Sequence, residues 1–99
     1  MADLTEKVID FVNAQEMATK HPETFEAPTT EELDNIFVGD TVKVSVLGER
    51  FWCEVVEVNS EVIKARVDND LIFTDEHGIR YMDIIQFEKK NVYSIFLDV

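Results

Sequence analysis

A thiol, two imidazoles and a run of loop carboxylates are the groups in this 99-residue chain whose types most invite a chemical role. Cys53 with His77 or His21 has the composition of a nucleophile and its base. Cys53, however, lies between Trp52 and Glu54 in a β-patterned stretch, with no helix amino terminus or fixed cation to lower its pKa. It reads as a small buried hydrophobe. Asp68, Asp70, Asp75 and Glu76, with His77, suggest calcium or magnesium. Their spacing lacks the central glycine and terminal glutamate of an EF-hand loop, and two histidines without further cysteines make no zinc site. Turn formation and solvation account for these residues. No glycine-rich phosphate loop and no basic stripe interleaved with aromatics is present. The reading is therefore a non-enzymatic protein with no cofactor and no metal.

Binding is the better prospect. The chain carries 9 basic and 21 acidic side chains, a net charge of −12. Residues 1–40 hold ten acids against two lysines, a net −8, and the remainder carries −4. Such a field repels phosphate backbones and anionic lipid and steers basic surfaces inward. The expected partner is a protein with a basic surface; direct nucleic-acid and membrane binding are not expected. The candidate contact residues are Arg50 and Trp52, the loop acids Asp68, Asp70, Asp75 and Glu76, and the helical acids Glu31 and Glu32. A sharper version has the carboxylates standing where phosphates would lie, making the chain a DNA mimic. An alternative is a small-ligand binder or sequestering protein whose pocket forms at a homo-oligomer interface from Trp52, Arg50, Arg66 and Arg80. A third use of the surface is an aromatic cage for a cationic group, drawn from Phe51, Trp52, Tyr81, Phe87 and Tyr93. Core filling is the plainer role for most of these rings. Trp52 decides much: exposed, it marks a binding surface, whereas burial under the first helix leaves function to the acidic face.

Positioning these residues requires a scaffold. Asp3 and Glu6 have capping-box spacing and Leu4, Val8, Phe11, Val12 and Gln15 share one face, extended by Ile9 and Met17, so a helix is predicted over 4–19. Its apolar stripe packs on the domain or on a partner. His21-Pro22 ends it, and residues 21–29 form a loop. A second capping box, Thr29 with Glu32, starts a helical turn through Ile36, with Leu33, Ile36 and Phe37 as core anchors. Gly39-Asp40 marks a turn.

From Thr41 the hydrophobic period becomes two. Val42, Val44 and Val46 alternate with polar residues, and Leu47-Gly48-Glu49-Arg50 makes a hairpin connection. Phe51 to Val58 puts apolar residues on both parities, which calls for a β-bulge near Val55-Val56 or for helices covering the outer face. Ile63, Ala65 and Val67 point inward opposite Lys64 and Arg66. Asp68-Asn69-Asp70 closes the meander, and Leu71–Phe73 makes a brief strand before a turn at Asp75–Gly78. Strands at 84–88 and 92–97, joined by the turn Lys89-Lys90-Asn91, complete the set. The fold class is α+β, mainly β: a small five-stranded SH3-like barrel (39–99) preceded by an acidic helical lead-in (1–38), one amphipathic helix and one short helix, as one folding unit. One cysteine forms no intramolecular disulfide, and the chain shows neither a secretory leader pattern nor a membrane-length apolar run, so a cytoplasmic protein is expected.

His21-Pro22-Glu23-Thr24-Phe25, Gly39-Asp40-Thr41-Val42-Lys43-Val44, Glu49-Arg50-Phe51-Trp52, Asp68-Asn69-Asp70 and Gln86-Phe87-Glu88 occur in an order that resembles an uncharacterised family of small bacterial and phage domains. The likeness spans about residues 21–94 and departs at Met82-Asp83, where relatives have Gly-Asp, so a different turn is expected there. The resemblance implies a compact domain, encoded by a phage or other mobile element and acting on a host protein. It supplies no catalytic residue.

Overall fold

A computed structural model describes residues 11–96. In order along the chain, the elements are α1 (Ala14–Lys20), α2 (Thr30–Asp34), β1 (Thr41–Val46), β2 (Glu49–Asn59), β3 (Val62–Val67), α3 (Thr74–His77), β4 (Ile84–Glu88), a 3-10 turn (Lys89–Asn91) and β5 (Ser94–Phe96).

All five strands form one antiparallel sheet in the order β4-β3-β2-β1-β5. The β1–β2 hairpin closes through Leu47-Gly48, both at positive φ (47° and 83°), the handedness that matches strand twist. Val42 pairs with Cys53, Val44 with Phe51 and Val46 with Glu49, all buried on the inner side. Between Val55 and Glu57 the β2–β3 register shifts. Val56 is the extra residue and turns outward, which resolves the two-parity conflict by a bulge rather than by helices over the outer face.

β4 and β5 lie at opposite edges, so a flat sheet would separate them by roughly 19 Å. The link between them spends three residues in a 3-10 turn that rises about 2 Å per residue. The sheet therefore curls so that its edges approach, but β4 and β5 share no ladder among the described residues. The expected five strands are thus present as one curled antiparallel sheet, which is not closed among the described residues.

The lead-in covers the inner face. Phe11, Leu33 and Ile36 join the core cluster, and Phe11 meets Phe87 edge to face at 5.8 Å. Fully burying a side chain such as Phe51 contributes about 2 kcal/mol over leaving it exposed. Asn91 fastens this layer: its Nδ2 donates to the carbonyls of Phe11 (3.3 Å) and Val12 (3.2 Å), and its Oδ1 accepts from the Glu88 N–H (2.9 Å). Lys89 adds an ion pair to Asp34 on α2.

Several expectations are corrected. Asn13 accepts from the Glu16 N–H and starts α1 there, so Phe11 and Val12 are not helical; Val12 instead donates to the Ser45 carbonyl of β1. The Asp3–Glu6 box and residues Leu4 to Asp10 lie outside the described residues. The Thr29–Glu32 capping box forms as expected, but α2 ends at Asp34 and Phe37 is 68% exposed rather than a core anchor. Leu71–Phe73 makes no strand, because the N–H groups of Ile72 and Phe73 go to a side chain instead of a ladder. Asp75–Gly78 belongs to the one-turn helix α3, closed by Gly78 at φ 76°. The last strand is shorter than predicted: Val92 is buried before β5 begins, and Leu97 lies outside the described residues.

Candidate functional site: the hairpin end of the sheet

β2 starts with Glu49, which has the same parity as Phe51, Cys53 and Val55 and so points inward. A carboxylate there needs partners. It finds them in the loop between β3 and β4. Glu49 Oε2 accepts from the Ile72 N–H (2.7 Å) and Oε1 from the Phe73 N–H (2.9 Å), with His77 Nε2 3.0 Å from Oε1. The Ile79 N–H donates to His77 Nδ1 (3.0 Å), so Nδ1 carries no proton and Nε2–H donates to Glu49. Both side chains are buried, His77 almost completely. Burial by itself raises the Glu49 pKa; the Ile72 N–H, the His77 ring and the Phe73 N–H outweigh it and hold the carboxyl below its ordinary range.

The same loop is sewn to β2 and β3 elsewhere. The Trp52 N–H donates to Asn69 Oδ1 (2.7 Å) and the Asp68 N–H to the Trp52 carbonyl (2.9 Å). Val67 and Met82 pair with Asp83 and Val67 carbonyls respectively. Met82 takes φ 74°, Asp83 Oδ2 accepts from the Arg80 N–H and the Asp83 N–H donates to the Arg80 carbonyl, so Arg80 to Asp83 form a turn.

This arrangement gathers six of the eight predicted contact residues at one end of the sheet. Asp68, Asp70, Asp75 and Glu76 are exposed on the fastened loop, and Arg50 and Trp52 occupy the outer face of the adjoining strand. Glu31 and Glu32 are not with them. They lie on α2, which the Asp34–Lys89 contact places near the β2–β3 turn, at the other end of an 11-residue strand.

Trp52 is half-buried, and its neighbours are Lys43, 4.6 Å over its ring, and Phe96, edge-on at 6.1 Å, neither from α1. Arg50 lies 4.6 Å over Tyr93, itself edge-on to Phe25. The five aromatics considered for a cage do not converge: Phe51 and Phe87 are core, Tyr81 is exposed, and Trp52 and Tyr93 take different partners. Arg66 pairs with Glu54 across β2 and β3, both side chains half-buried. Cys53 is a buried thiol whose pKa is pushed up, first by burial and then by the charge of Asp68, the opposite of nucleophile activation. Among the described residues no three His, Cys, Asp or Glu side chains cluster as metal ligands, and no helix is long and apolar enough to cross a membrane.

Sequence reasoning missed Glu49 and the role of His77, although the signal existed: an acid at an inward parity of the most apolar strand. It also missed the exposed apolar residues beside them, Leu47, Ile72 and Phe73. Comparison of the chain with protein-family models, with curated proteins and with solved structures gives no match.

Proposed function

We propose that this protein is an acidic interaction module that docks a basic surface of a partner protein through the hairpin end of its sheet. One observation carries this reading: a loop whose exposed charges between Arg66 and Arg80 are all negative is held by a buried carboxylate rather than left loose. Burying Glu49 costs desolvation, and what the cost secures is a fixed presentation of Asp70, Asp75 and Glu76. The strand order and the Lys89–Asn91 turn support an SH3-like reading of the fold, and by fold analogy alone a binding role.

The test is a partner captured on the immobilised protein from its native host, followed by a salt titration. Affinity should fall steeply as salt rises and should fall again in an Asp70→Asn, Asp75→Asn, Glu76→Gln variant. Affinity unchanged between low and high salt would contradict the proposal. A nucleic-acid-binding groove is one such basic surface, and loss of partner binding on adding duplex DNA is the readout for the DNA-mimicking version.

A further inference from the structure

Resting on that reading, we infer that the contact point at the hairpin end is Ile72, with Phe73 and Leu47 beside it, and that it takes a peptide segment bearing one aliphatic residue flanked by lysines or arginines. Ile72 is 83% exposed, more than any other large apolar side chain among the described residues. Its exposure is not fraying, because its own N–H is fixed 2.7 Å from a buried carboxylate oxygen. Phe73, 38% exposed, is tied to the same carboxylate, and Leu47, 59% exposed, precedes it by two residues in the hairpin turn. Leu47 has φ 47°, a left-handed conformation that branched apolar residues disfavour and glycine or asparagine accept. Two local preferences, for burial and for backbone conformation, are thus overridden in the two segments that Glu49 links.

A preorganised apolar centre with a charged rim has the anatomy of a docking site, since little ordering remains to be done on binding. The rim selects the occupant. Asp70, Asp75 and Glu76 lie within four residues of Ile72, with no lysine or arginine between them. A second copy of this chain would set these carboxylates against their own counterparts across an isologous contact, which is repulsive. An anionic lipid surface is repelled in the same way. An aliphatic residue between cations meets both the apolar centre and the rim.

Amide chemical-shift titration by NMR tests this with three synthetic pentapeptides: Lys-Arg-Leu-Lys-Arg, Lys-Arg-Ser-Lys-Arg and Glu-Glu-Leu-Glu-Glu. The leucine-centred cationic peptide should move the amides of Leu47, Ile72 and Phe73. The serine-centred one should bind about tenfold more weakly, the loss of one apolar anchor, and the acidic one should not bind. Ile72→Ser should lower the affinity for the leucine peptide to that of the serine peptide while leaving the thermal melt in place, because the side chain packs little against the core. Equal affinity for the two cationic peptides would overturn the inference and leave the acidic module standing, whereas shifts confined to Glu31 and Glu32, at the other end of the sheet, would overturn both. Binding of neither cationic peptide would remove both. Shifts at Ile72 and Phe73 that grow with protein concentration alone would give the site to a second copy and overturn the choice of occupant.

Discussion

Two buried polar side chains, one at each end of the sheet, do comparable work by different chemistry. Asn91 ties the lead-in to the strands with three hydrogen bonds from a neutral amide, and the apolar side chains it brings along, Phe11 above all, are buried. Glu49 ties the β3–β4 loop with three bonds to a carboxylate, and the apolar residues it brings along, Ile72 and Phe73, are left facing water. Burial of Phe11 adds its own stabilisation to the first fastening. In the second, Ile79 is buried and Leu71 packs against the core, but Ile72 and Phe73 themselves are held by the fastening group and gain little from burial. The difference separates a joint that completes the fold from one that presents a surface.

The largest expected effect comes from breaking the charged joint. Glu49→Ala leaves two backbone N–H groups and the His77 Nε2–H without their acceptor, and should cost about 3 kcal/mol in chemical denaturation. A cost near zero would mean the loop is not held as described. Asn91→Ala removes three neutral bonds and should cost about 2 kcal/mol, with the loss expressed at the α1 side of the molecule.

Acid sharpens the contrast. The folded-state pKa of Glu49 is depressed, so its stabilisation is fully present above the ordinary carboxyl value of about 4.3 and is lost as pH falls through the lower folded value. Stability measured from neutral pH downward should therefore fall with a shallower slope in Glu49→Gln than in the wild type. Asn91→Ala should keep the wild-type slope, because an amide does not titrate. Parallel curves for all three proteins would erase the distinction between the joints.

The smallest effect is at the hairpin tip. Leu47→Gly should stabilise the domain by about 1 kcal/mol, since glycine accepts a φ of 47° that leucine resists. The same change should weaken binding of the leucine-centred cationic peptide. Destabilisation instead would show that the Leu47 side chain contributes more to packing than its exposure indicates.

Local chemistry made much of the fold legible. The alternation of Val42, Val44 and Val46, the Thr29–Glu32 capping box and the parity break at Val55-Val56 each specify their structure within a few residues, and each forms. What was not legible depends on distant partners. Glu49 and His77 are 28 residues apart, and Asn91 reaches back 80 residues to Phe11. Leu71–Phe73 has a strand's composition, and only the competing acceptor at Glu49 denies it a ladder. The loop acids could be named from sequence because they are polar and turn-forming. That four of them share an end of the sheet with Arg50 and Trp52, while Glu31 and Glu32 do not, follows from topology.

Amide hydrogen exchange at Ile72 tests the central claim most directly. An 83%-exposed residue in a loop ordinarily exchanges at once, yet here its N–H donates to a buried carboxylate. The account expects the Ile72 and Phe73 amides to be protected in the wild type and to lose that protection in Glu49→Ala, while the Val12 and Val92 amides stay protected in both. Unprotected Ile72 and Phe73 amides in the wild type, or protection that survives Glu49→Ala, would contradict it.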